Sequence, residues 1–194
     1  LGFVLGLASL TKSPALFFAV LIPAAIILLK KPKDVFKYAG LILVAYLIAF
    51  GMYNIQRLGP NFGQLTVRTK DYVFPLSRIL VYPTDPIRYN LPTTASWLYA
   101  MGPIGLVLLA LIGTALNFKK YRKYVLILGV WFLAPLLFES EFTKSFTLRY
   151  ILFLTPPLYV LAASAFTSLS GKWKYLTIFS LIIFAVQSGI FDYH

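Results

Sequence analysis

Residues 97–138 read WLYAMGPIGLVLLALIGTALNFKKYRKYVLILGVWFLAPLLF, two apolar runs at 97–117 and 123–138 separated by Lys119-Lys120-Tyr121-Arg122-Lys123. A helix crosses about 30 Å of hydrocarbon with about 20 apolar residues. An apolar–basic–apolar pattern of this length therefore predicts two membrane spans joined by a short charged loop. Working outward, four further apolar segments lie at 14–29, 37–57, 150–168 and 174–190. Residues 1–8 are apolar but too short to span, and are expected to be the cut end of a further helix. The fold class expected is all-α: a polytopic transmembrane helix bundle of about six full spans plus a truncated first helix. It forms one domain over 1–194 with a long external loop at 58–96.

Charge orients this bundle. Lys30, Lys31, Lys33 and Lys37, then Lys119, Lys120, Arg122 and Lys123, then Lys172 and Lys174 make ten of the chain's 18 Lys and Arg residues. Of its six acids only Asp34 keeps them company. Counting spans from a first helix that runs outward puts all three clusters on one side, with 58–96 and 139–149 on the other. Short loops rich in Lys and Arg stay cytoplasmic, so a multi-pass cell-membrane protein is expected. The composition agrees: 59% hydrophobic residues, 12% charged and a mean hydropathy of +0.79 leave a water-soluble domain nowhere to put its apolar surface. The net charge of +12 is assigned to anionic lipid head groups rather than nucleic acid, because the basic residues flank apolar spans. With no cysteine, disulfides, thiolate catalysis and thiolate metal sites are excluded together. No ligand cluster of recognisable spacing exists in the chain, which leaves metal dependence open and any cofactor unknown at this point.

The punctuation is also informative. Pro14 suits the first turn of a helix, whereas Pro23 and Pro135 fall inside spans and are expected to kink them. Gly2 and Gly6 form a small-residue pair of a kind common by chance in apolar segments. Residues 58–96 are too long for a turn and too polar for lipid, which predicts a lid or binding surface. Within them, 75–82 reads as a short interfacial helix with Pro75 in its first turn and Pro83 stopping it, while Asp85-Pro86 and Leu91-Pro92 read as turns.

At the external ends of spans stand two cations. Lys12 is either a snorkelling helix-end lysine or a phosphate contact. Arg149, followed by Tyr150, is either an interfacial anchor beside an aromatic or a planar fork for a phosphate or carboxylate. Glu139 and Glu141 read as solvated loop carboxylates before general bases or metal ligands. His194, the only histidine, is given no role.

The run Gly6-Leu7-Ala8-Ser9-Leu10-Thr11-Lys12-Ser13-Pro14 resembles the G-L-A-x-L-T-K-G-P element of bacterial and archaeal glycosyltransferases related to dolichyl-phosphate-mannose protein mannosyltransferases and to lipid A aminoarabinose transferase. Tyr53-Asn54-Ile55-Gln56-Arg57-Leu58-Gly59-Pro60-Asn61-Phe62, then Arg68 and Asp71-Tyr72, then the run from Phe146 to Pro157 extend the likeness along nearly the whole chain. The resemblance implies a C-type membrane glycosyltransferase. Such an enzyme takes a sugar from a polyprenyl-phosphate donor and gives it to a glycan, lipid or protein acceptor at the extracytoplasmic face.

On that likeness Lys12 and Arg149 hold the donor phosphate with Arg57 or Arg68 as a third contact, and Asp71, Tyr72, Arg78 and Tyr150 belong to the substrate loop. Cations there meet the charge that develops on a phosphate leaving group. The family's acceptor-activating carboxylate lies in a first external loop upstream of Leu1, so no catalytic residue is assigned within 1–194 and this piece alone is expected to be inactive. Ser13 stands where the family has glycine. The alternative is a non-catalytic flippase or transporter of polyprenyl-linked glycans, which needs the same external cations.

Overall fold

The computed structural model describes residues 1–11, 16–101, 104–144, 151–168 and 171–192. Among these the protein is all-helical, with one isolated bridge in place of any strand. The helices are α1 (Gly2–Thr11), α2 (Leu16–Leu29), α3 (Pro32–Asn54), α4 (Phe62–Tyr72), α5 (Leu76–Val81), α6 (Asp85–Met101), α7 (Ile104–Phe142), α8 (Thr155–Ser164) and α9 (Gly171–Asp192). Short 3₁₀ turns extend α3 at Ile55–Leu58 and flank α8 at Leu152–Leu154 and Ala165–Ser168. Two helical stretches, Pro32–Leu58 and Ile104–Phe142, are long and apolar enough to cross a bilayer. Only 11% and 17% of their apolar windows are buried in the protein. Leu41, Leu43, Val44, Leu47, Ile48 and Phe50 of α3 are all exposed, an apolar face far broader than water tolerates.

Local chemistry explains where these helices begin and bend. α3 starts with Pro32 in its first turn, where a missing N–H costs nothing, and with Asp34 against the positive end of the helix dipole. α7 departs from helical geometry at Tyr121 alone (φ −121°, ψ 30°), inside the basic run. Ile104, Leu111 and Thr114 line the same 490 Å³ cavity as Gly129, Phe132 and Leu133. On a straight helix Ile104 and Leu133 would stand about 43 Å apart, so the two halves fold back on each other around Tyr121. The backbone dihedrals at Pro135 stay within the helical range.

Close backbone approach sets the packing. Gly2 and Gly6 face α3, where a Cβ on Gly6 would come within 2.8 Å of Met52 and one on Gly2 would strike the Ala45 backbone. The pair set aside as a chance occurrence is thus the contact itself. Because Gly2 meets Ala45 and Leu10 accepts a bond from Gln56 Nε2 at 3.4 Å, α1 and α3 run parallel. Gly113 of α7 meets Leu161 of α8, and Asn117 Nδ2 donates to the Ser164 carbonyl at 3.0 Å, so the end of α8 lies beside the Lys119–Lys123 bend. Gly105 touches Ser180 and Phe184 of α9. Leu106, Leu109, Ala110, Val125, Leu161, Ala162 and Ala165 form the core these contacts enclose.

Residues 58–96 depart most from expectation. They are largely helical, through α4, α5 and most of α6. The short helix foreseen at 75–82 is present as α5 with Pro75 as its N-cap. Asp85-Pro86 and Leu91-Pro92 are not turns: both lie in α6. Pro86 falls in the first turn, and Pro92 removes a single hydrogen bond while Thr93 and Thr94 donate their hydroxyls to the carbonyls of Tyr89 and Asn90 at 3.0 and 2.8 Å. Within the apolar run 97–117 the described residues are helical, in α6 up to Met101 and in α7 from Ile104.

Candidate functional site

At the end of the bundle away from the Lys119–Lys123 bend, the segment after α4 is clasped to the end of α7. The Phe74 N–H donates to the Phe142 carbonyl at 2.7 Å and the Lys144 N–H to the Tyr72 carbonyl at 2.8 Å, an antiparallel bridge pairing Val73 with Thr143. Asn90 of α6 reaches across and donates its amide to the carbonyls of Ser140 and Thr143, both at 2.9 Å. Those carbonyls end a helix and lack intrahelical partners, so a side-chain amide is what they require. Three chain segments far apart in sequence are thereby held by four hydrogen bonds.

Beneath the clasp lies a buried carboxyl. Glu139 is 5% exposed, and its Oε2 accepts the Thr143 hydroxyl at 3.0 Å. It is therefore not the solvated loop residue anticipated. A carboxyl buried without donors costs several kcal/mol, which makes the Thr143 hydroxyl part of the reason the chain turns here. Ser140 Oγ and Glu141 Oε1 are buried with no hydrogen-bond partner among the described residues. Native interiors leave few such groups unpaired.

The rim is basic and aromatic. Arg78 of α5 pairs with Asp85 of α6 at 2.7 Å, with both side chains a little under half exposed. Its guanidinium carbon sits 4.5 Å from the Phe74 ring centre, and Lys144 Nζ stands 5.7 Å from the same ring. Cations over aromatic faces are held electrostatically by the ring quadrupole.

Of the residues singled out from the sequence, Tyr72 and Arg78 are brought to the clasp, the first by its carbonyl and the second by its stacking on Phe74. Asp71 is exposed beside Tyr72 at the end of α4. Arg57, exposed in the 3₁₀ turn after α3, lies 5.7 Å from the Phe62 ring. Arg68 is in α4, its side chain outside the described residues, as are Lys12, Arg149 and Tyr150 altogether. Sequence reasoning passed over Asn90, Thr94 and Thr143. The i, i+4 spacings Asn90–Thr94 and Glu139–Thr143 were the available signal, hidden by the treatment of Leu91-Pro92 as a turn. Among the described residues no three His, Asp or Glu side chains gather as a metal site would require. The chain matches no family model, no curated protein and no solved structure.

Proposed function

We propose that the chain is part of an integral membrane glycosyltransferase that moves a sugar from a polyprenyl-phosphate donor to a glycan, lipid or protein acceptor at the extracytoplasmic face. Six spans and a further partial helix carry it, with the lysine-rich bends in the cytoplasm against anionic lipid. The observation that carries this reading is the clasp. It gives the polar segment 58–96 a fixed helical form at the end of the bundle opposite the Lys119–Lys123 bend, beside the chain that leads to Arg149. A lipid-linked donor needs such a surface at the membrane boundary, with cations at the depth of its phosphate.

Lys12 and Arg149 are the proposed phosphate contacts, joined by Arg57 or Arg68. Losing a charged hydrogen bond costs about 1.5–3 kcal/mol, or roughly tenfold to a hundredfold in rate or affinity. In the full-length protein, Lys12→Ala and Arg149→Ala are expected to lose most transfer from a polyprenyl-phosphate sugar while folding normally. Arg149→Lys should recover only part, because the planar fork is gone. Wild-type turnover in both alanine variants would reduce these cations to helix anchors. Binding of the lipid donor without any transfer would favour the flippase alternative.

A further inference from the structure

Helix α2 has a proline where a backbone hydrogen bond is due, and α3 supplies the missing donor. Its sequence, LFFAVLIPAAIILL, is apolar throughout, with Pro23 in its interior. In an α-helix each N–H donates to the carbonyl four residues earlier, and proline has no N–H. Pro23 therefore leaves the Ala19 carbonyl without its helical donor. The Tyr46 hydroxyl of α3 donates to that same carbonyl. In the hydrocarbon of a bilayer no water is at hand to do so, and an unmet backbone group is costly.

The bond crosses a place where side chains do not fill the space between the helices. Leu5 and Ser9 of α1, Ala19 of α2, and Tyr46, Ala49 and Phe50 of α3 line a cavity of about 360 Å³. Ser9 spends its hydroxyl on the Leu5 carbonyl of its own helix, at 2.8 Å. Elsewhere α2 is packed: the Phe18 ring meets Trp131 and Phe153 edge-on, with 5.6 and 6.0 Å between ring centres. So α2 is held by aromatic packing towards α7 and by a hydrogen bond across a cavity towards α3. Proline is also where a helix bends, which makes residues 16–22 the half whose direction the bond sets. In sequence that half follows directly on Lys12-Ser13-Pro14-Ala15.

We propose that Tyr46 is a positioning residue: its hydroxyl replaces the N–H that Pro23 lacks, and so sets the outer half of α2, and through it Lys12, against α3. The latch stands on the geometry alone, and its bearing on transfer rests on the proposed role of Lys12 at the donor phosphate.

A double-mutant cycle on the purified full-length protein tests it, with Tyr46→Phe and Pro23→Ala read by thermal unfolding and by transfer from a polyprenyl-phosphate sugar. Tyr46→Phe removes only the hydroxyl. It should lower the unfolding temperature by a few degrees and transfer by roughly tenfold to a hundredfold. Pro23→Ala gives the Ala19 carbonyl an N–H again. In that background Tyr46→Phe should cost little in either measurement, a rescue that a ring held only by packing would not show. Equal loss with and without Pro23→Ala, or no loss in either background, overturns the latch. Rescue of the unfolding temperature with transfer unmoved throughout overturns the positioning role. Full transfer by Lys12→Ala sinks the donor reading, and the coupling of Tyr46 to Pro23 is then still seen in unfolding.

Discussion

Glu139 ties the end of α7 to the clasp, and its partner decides how substitutions there behave. Glu139→Ala leaves the Thr143 hydroxyl buried without an acceptor, an unmet donor that costs about 1–3 kcal/mol. Glu139→Gln keeps an amide oxygen for the same hydroxyl. Thermal unfolding of the detergent-solubilised protein should therefore fall clearly for alanine and little for glutamine, and an equal fall would mean that the bond to Thr143 contributes nothing. Glu139 meets Thr143 at a local i, i+4 spacing that the sequence displays, whereas Asn90 was not legible as a contact, since the chain's return creates its proximity to carbonyls 50 and 53 residues away. Arg78 was legible as a loop cation. That its charge is matched by Asp85 was not, because the seven-residue spacing pairs them only across the α5–α6 turn.

Helices were easier to foresee than their contacts. The apolar runs at 14–29, 37–57 and 174–190 correspond to α2, α3 and α9, because length and hydropathy are local properties. The segment 58–96 was misjudged because two prolines were given the weight of breaks, whereas first-turn placement and threonine side chains accommodate them in α6. Packing at the glycines separates two similar positions in α7. A Cβ at Gly113 runs into the Leu161 carbonyl and Ser164 of α8, while one at Gly129 meets nothing within 4 Å. Gly113→Ala should destabilise by about 1–3 kcal/mol through overpacking. Gly129→Ala should be neutral or stabilise by up to about 1 kcal/mol, the helix preference of alanine over glycine. Matched melting curves check both, and equal effects would mean that α7 and α8 do not meet at Gly113.

For the whole molecule, sidedness carries the proposed function, since the clasp can serve an extracytoplasmic donor only if the lysine-rich bends lie on the opposite side of the bilayer. The contacts of Asn117 with Ser164 bring the end of α8 to the Lys119–Lys123 bend, and those of Phe74 and Asn90 hold the polar helices at the other end. Because the chain has no cysteine, single-cysteine variants give an unambiguous readout. Lys120→Cys, at the bend of α7, and Thr69→Cys, in α4, can be compared in intact and permeabilised cells with a membrane-impermeant thiol reagent. The expected result is that Thr69→Cys labels in intact cells and Lys120→Cys only after permeabilisation. Labelling of both from the same face would contradict the topology, and with it the external site.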